Sequence, residues 1–233
     1  MRLISYALAA TLLSTCPLAA QTATSPAPSA TTPALAFDIA RFEPEIVAFE
    51  TSDRAAPPAP GGILFVGSSS IRFWRTLAAD FPGLPVLNRG FGGSTMPEVN
   101  HYVSRVILPY RPRTIVLYAG DNDLVYGRTP DQIASDYRDF VRTVRAELPA
   151  TRIVFLSVKP SPSRWALADK MRETNRLVRA ITATDSLQTF VDVFTPMLGA
   201  DGRPRPELFN SDSLHMTPRG YVLWREQVAP LIH

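Results

Sequence analysis

Cysteine occurs once in this chain, at Cys16, lysine twice, at Lys159 and Lys170, and histidine three times, at His101, His215 and His233. Each scarcity closes off chemistry. One cysteine cannot form an intramolecular disulfide. No second histidine sits at ligand spacing from another, so a zinc site is not expected, and no metal or organic cofactor is called for. Basic charge comes almost wholly from arginines scattered among acids, and the formal net charge is only +3. No basic stripe of the kind that follows a phosphate backbone is present, so nucleic acid is not an expected partner. The apolar run Leu3 to Leu13 is too short to span a bilayer, so stable membrane insertion is not expected either.

That same run follows Met1-Arg2 and precedes Pro17-Leu18-Ala19-Ala20. A positive start, an apolar stretch and a small-residue cleavage site predict a secretory signal peptide over residues 1–20. Cys16 after Leu13-Ser14-Thr15 leaves a lipid anchor as the alternative, disfavoured by the threonine just before it. Cleavage after Ala20 removes the only cysteine, and with it any cysteine nucleophile. Residues 21–35 are rich in Thr, Ser, Ala and Pro and cannot build a core; they read as a linker. Residues 36–60 read as an N-terminal helix and lead-in, and the main domain begins at Gly61.

Five short apolar runs rich in β-branched residues predict strands: Ile63–Val66, Pro85–Leu87, Thr114–Tyr118, Arg152–Val158 and Thr189–Val193. Helical stretches are predicted at Pro97–Leu108, Pro130–Leu148, Ala166–Thr184 and Pro218 to Leu231. The second carries Ile133, Tyr137, Phe140 and Val144 at helical spacing behind a Thr129-Pro130 start signal. Strands alternating with helices imply an α/β chain: a five-stranded parallel sheet covered on both faces, three layers in all. In such sheets ligands sit beyond the carboxyl ends of the strands.

The strand ends are polar and rich in small residues. Gly67-Ser68-Ser69-Ser70 follows the first strand, Asn88-Arg89-Gly90-Phe91-Gly92-Gly93 the second, and Ala119-Gly120-Asp121-Asn122-Asp123 the third. The last strand leads to Asp212-Ser213-Leu214-His215. A carboxylate three residues ahead of a histidine can reach its ring, fix its tautomer and steady the imidazolium. His101 lies within the predicted helix Pro97–Leu108, and His233 is terminal. Three adjacent serines could instead cap a helix, and Gly90 and Gly92 could simply loosen a loop. The spacing of the glycines in Gly90-Phe91-Gly92-Gly93 does not fit a dinucleotide fingerprint.

Taken together and in order, "GSSS", "NRGFGG", "AGDNDL" and "DSLH" resemble the four sequence blocks of the SGNH hydrolases, the GDSL-type esterases and lipases, from Gly61 to Leu231. The look is that of the compact acetylhydrolase-like members. The resemblance implies a flavodoxin-like fold, with Ser69 as nucleophile, His215 as base and Asp212 as its orienting acid. It implies an oxyanion hole made by the Ser69 N–H, the Gly93 N–H and the Asn122 side chain, with Asp123 bracing the third block. Ser68 stands where the family usually has Asp, a departure that bears on how the nucleophile turn is held.

The resemblance also implies ester hydrolysis through an acyl-enzyme, on a small-molecule or glycan ester. Arg72 and Trp74, just past Ser69, and Arg164 and Trp165, after the fourth strand, are candidate substrate contacts; each tryptophan could equally pack its loop. No long apolar lid segment is present, which points to short acyl groups, acetyl on a carbohydrate among them. Transfer of the acyl group to a sugar hydroxyl, or sugar binding without catalysis, are the alternatives.

Overall fold

The computed structural model describes Leu3 and residues 38–232. The expected signal peptide and linker lie, apart from Leu3, outside the described residues, as does His233.

In chain order the elements are α1 (Glu43–Ala55), β1 (Ile63–Gly67), α2 (Ser69–Arg72), α3 (Leu77–Asp80), β2 (Val86–Gly90), α4 (Met96–Val106), β3 (Thr114–Tyr118), α5 (Asp121–Val125), α6 (Pro130–Glu147), β4 (Arg152–Leu156), α7 (Ala168–Thr182), β5 (Gln188–Val191) and α8 (Pro218–Val228). A short 3₁₀ turn, Ile39–Phe42, leads into α1. The strands form one parallel sheet in the order β2-β1-β3-β4-β5. This is the expected α/β/α architecture.

The apolar runs are continuous because both faces of the sheet are covered. Successive residues then point to opposite layers. Leu64, Val66, Ile115, Leu117, Ile153 and Phe155 pack with α4, α6 and α7, while Ile63, Phe65, Val116, Tyr118, Val154 and Leu156 pack with α2, α3 and α8. α6 begins as its sequence predicts. The Thr129 hydroxyl accepts the Gln132 N–H at 3.2 Å, and the Gln132 side chain accepts the Thr129 N–H at 2.9 Å.

Several element boundaries differ from expectation, among them that of β4, which stops at Leu156 and not Val158; at β2 and β5 the cause is plain. Asn88-Arg89-Gly90, expected beyond the second strand, belong to β2, with Asn88 in register with Phe65. Their polar side chains are tolerated there because each is satisfied. Asn88 donates to the Ile71 carbonyl at 2.7 Å, and Arg89 donates to the Tyr110 hydroxyl at 2.7 Å and pairs with Asp53. β5 ends at Val191, because beyond it the Ser157 hydroxyl accepts the Val193 and Phe194 N–H groups at 2.9 and 3.0 Å and takes over the pairing.

Candidate active site

The turn from β1 into α2 sets the site. Gly67 has φ +128°, and a Cβ there would collide with the Tyr118 carbonyl of the neighbouring strand. Only glycine lets the chain leave the sheet this sharply. The turn presents Ser69 as the first residue of α2.

Ser68 and Ser70 are buried, and their hydroxyls have no hydrogen-bond partner among the described residues. The expectation that one of them caps the helix is therefore corrected. Ser68 occupies the cap position, but only its carbonyl works there, accepting the Ile71 and Arg72 N–H groups at 2.9 and 3.1 Å. Ser69 alone directs its hydroxyl at another functional group: its Oγ lies 3.0 Å from His215 Nε2. The other ring nitrogen, Nδ1, lies 2.6 Å from Asp212 Oδ2.

Local sequence fixes this arrangement. Asp212 Oδ1 accepts the N–H groups of Leu214 and His215, both at 2.9 Å, and Ser213 takes φ +56° to close the turn. Phe73 packs edge-on to the imidazole, with centroids 4.8 Å apart. What burial there is works against the Asp212 charge, yet the His215 ring and the two backbone N–H groups outweigh it and hold the carboxyl down at about 2. Asp212 is thus ionised at any ordinary pH.

Asn122 is the second residue of α5, one residue after Asp121. Its Nδ2 donates to the Ser94 carbonyl at 3.0 Å, which leaves one amide hydrogen over, and its Oδ1 accepts from Arg164 at 2.9 Å. Arg164 also pairs with the buried Asp121 at 2.9 Å, and Lys159, itself buried, reaches Asp121 at 3.1 Å and the Tyr118 hydroxyl at 3.3 Å. Burial opposes the Asp121 charge, but the two cations keep its carboxyl below the usual range. Sequence reading gave neither Asp121 nor Lys159 a role. An acid in the third block and a lone lysine beyond β4 are the trace they leave.

Gly93 follows β2 with φ +79°. The N–H groups of Ser69 and Gly93 make no hydrogen bond among the described residues. The reading of Gly90 as a loop loosener is corrected. Gly90 ends β2 against the backbone of α2, where a Cβ would strike the Arg72 N–H, and Gly92 lies under the Arg72 guanidinium.

The four expected substrate contacts fare differently. Trp74 is 1% exposed, packed edge-on or tilted against Phe65, Phe81, Tyr221 and Trp224, with its indole N–H on Asp80 at 2.6 Å. It is a core residue, because α2 is only one turn long and swings it under the sheet. Arg164 is committed to Asp121 and Asn122. Arg72 is half-exposed and pairs with Glu45 at 3.1 Å. Trp165 stacks on Phe194 under Arg172, and it also lines an open cavity of about 630 Å³ shared with Ser213, Asp201, Arg203 and Glu207.

Asp123 accepts the Met96 N–H at the start of α4, at 3.0 Å. Burial drives its carboxyl up to about 7, against the pull of that N–H and of Arg128. The folded protein therefore takes up a proton here that the unfolded chain, with an aspartate near pH ~4, does not hold. The stability from this group is present below about pH 4 and is lost as pH rises to about 7. We expect Asp123→Asn to flatten the fall in melting temperature over that interval. An unchanged slope would show that Asp123 is not the titrating group.

Beyond the carboxyl ends of a parallel sheet, a hydroxyl, an imidazole and a carboxylate stand in one hydrogen-bonded line, the arrangement of an α/β hydrolytic enzyme. Residues 62–223 match the model of the GDSL-like lipase/acylhydrolase family. The chain belongs to that family and is a hydrolase acting on ester bonds. It is similar to the platelet-activating factor acetylhydrolase IB subunit alpha1 of Bos taurus and of Homo sapiens, each 29% identical over 169 residues, covering 69% of this chain and 70% of the relative. In fold it resembles a GDSL-like lipase from Bacteroides thetaiotaomicron, at TM-score 0.68 and 20% identity, covering 79% of this chain and 95% of that one. It also resembles a catalytic mutant of an acetylxylan esterase from Geobacillus stearothermophilus, at TM-score 0.61 and 16% identity, covering 74% and 94%. Among the described residues no helix is long and apolar enough to cross a membrane.

Proposed function

We propose that the protein hydrolyses esters with short acyl groups, acetyl esters of carbohydrates among them, through Ser69, His215 and Asp212. The observation that carries this reading is the line of contacts from Ser69 Oγ to His215 Nε2, at 3.0 Å, and from His215 Nδ1 to Asp212 Oδ2, at 2.6 Å. A serine hydroxyl is a weak nucleophile until a base takes its proton. His215 Nε2 takes that proton as Ser69 Oγ attacks the ester carbonyl. The oxyanion so formed is held by the Ser69 N–H, the Gly93 N–H and the remaining Asn122 amide hydrogen. The carbon–alcohol oxygen bond breaks, and the alcohol leaves with the proton from His215. Water, activated by the same imidazole, then releases the acid and restores Ser69.

The acyl and alcohol preferences rest on two supports. Among the similar proteins named above are an acetylhydrolase subunit and a catalytic mutant of an acetylxylan esterase. The cavity beside Ser213 has a polar wall and an indole, surfaces that suit a sugar. A panel of esters varying in acyl length and alcohol tests this. We expect kcat/KM to be greatest for acetyl and to fall by tenfold or more by octanoyl; a rise with chain length overturns the short-acyl reading. Product analysis with an added sugar acceptor separates hydrolysis from transfer. The proposal includes export with cleavage between Ala20 and Gln21. Intact mass from the native host tests it, and a retained Met1 or a lipid on Cys16 is the contrary result.

A further inference from the structure

The family match begins at residue 62, yet a segment before it reaches into the site. Three consecutive residues of the loop after β2 are gripped from residues 41–45. The ring of Phe42, 3% exposed, packs edge-on to Phe91 with centroids 5.0 Å apart. The Glu45 carboxylate accepts the Gly92 N–H at 3.3 Å. The Arg41 guanidinium donates to the Gly93 carbonyl at 3.3 Å.

Arg41 is itself fixed. It donates to the Tyr126 hydroxyl at 3.1 Å, pairs at 3.0 Å with Glu98, which is fully buried, and lies over the Phe42 ring at 4.5 Å. Glu98 in turn accepts the Thr95 N–H and hydroxyl, both at 2.8 Å, and Asn122 holds the Ser94 carbonyl. Peptide planes are rigid units. The plane carrying the Gly92 N–H is pinned by Glu45, the plane carrying the Gly93 carbonyl by Arg41, and the next by Asn122 and Glu98. The plane between the first two carries the Gly93 N–H, which has no partner among the described residues. Gly93, at φ +79° and without a Cβ, has little stiffness of its own.

We infer that Arg41 and Glu45 are positioning residues: they clamp the peptides on either side of the Gly93 N–H and so aim it at the oxyanion. The inference rests on the proposed role of Gly93 in the oxyanion hole. A preorganised donor stabilises the transition state more than the bound ester, so loosening it lowers kcat and leaves KM in place.

The test uses the full chain and a short acetate ester. Arg41→Ala and Glu45→Ala should each lower kcat by roughly tenfold with KM within twofold. Each should weaken a boronic acid inhibitor, whose adduct with serine is tetrahedral and anionic, by a similar factor. Added guanidinium at millimolar concentration should restore part of the loss in Arg41→Ala. Arg105→Ala is the control. Arg105 ties α1 to α4 through Glu43 at 2.7 Å and Glu50 at 2.6 Å without touching the loop, so it should lower the melting temperature and leave kcat unchanged. Unchanged kcat in both loop variants, a rise in KM instead, or an equal loss of kcat in Arg105→Ala would each overturn the clamp. The oxyanion reading is tested separately by Asn122→Ala, whose contacts are with Ser94 and Arg164. Full activity there overturns that reading, and the clamp with it.

Discussion

Replacing Ser69 by alanine is expected to lower kcat/KM for a short acetate ester by roughly a millionfold, since the nucleophile and its base act as a unit. The fold should survive. Ser69 Oγ contacts His215 Nε2 at an open face of the site, and α2 keeps its backbone hydrogen bonds. Melting temperature should therefore change by no more than about a degree or two, within the range of surface substitutions. Ser68→Ala and Ser70→Ala form the informative contrast. Each removes a buried hydroxyl that lacks a partner among the described residues, and an unpaired buried polar atom costs about 1–3 kcal/mol. Both variants should keep activity within a few-fold and be at least as stable as the parent. Loss of activity in Ser68→Ala with activity retained in Ser69→Ala would move the nucleophile by one residue.

The three serines look alike in sequence, and what separates them is the direction each side chain takes after the sharp turn at Gly67. That turn was legible, because glycine before a polar strand end has few other uses. The partner of Ser69 was legible too, although His215 lies 146 residues away. Both ends of the pair sit where a parallel sheet opens, and Asp212 stands beside His215. The strands β1, β3 and β4 were legible because burial on both faces leaves an unbroken apolar record.

β2 was partly hidden. It is an edge strand that carries Asn88 and Arg89, and their satisfaction by the Ile71 carbonyl, Tyr110 and Asp53 comes from other elements. Trp74 misled for a similar reason. Nearness to Ser69 along the chain says nothing of which way a one-turn helix swings the next residues. Arg41 and Glu45 left no trace. Their partners on the loop are the Gly93 carbonyl and the Gly92 N–H, 52 and 47 residues away, and backbone groups write nothing into a side-chain pattern.

The second large effect is expected at Asp212, where an asparagine tests the carboxylate's charge with little change of shape. Asp212 Oδ1 accepts two backbone N–H groups and Oδ2 meets His215 Nδ1. In Asp212→Asn the amide oxygen can keep the backbone pair, since a carbonyl oxygen still accepts. The amide NH₂ then faces His215 Nδ1 and can only donate to it. The ring is driven to the tautomer with its proton on Nε2, the nitrogen that must accept from Ser69. The imidazolium formed during attack also loses its counter-charge. Together these should lower kcat by roughly ten-thousandfold, with the melting temperature changed little because the turn keeps its caps. Asp212→Ala removes the caps as well and should lose both activity and stability. The parent's acid limb bears on the base. Asp212 is held at about 2 and stays charged above about pH 3, so a loss of activity on acidification above about pH 4 does not come from protonating Asp212, and the proposed base must be neutral to accept the Ser69 proton. His215→Ala should have no such limb on its residual rate. An Asp212→Asn variant within tenfold of the parent, or an acid limb that persists in His215→Ala, would remove these two residues from the proposed mechanism.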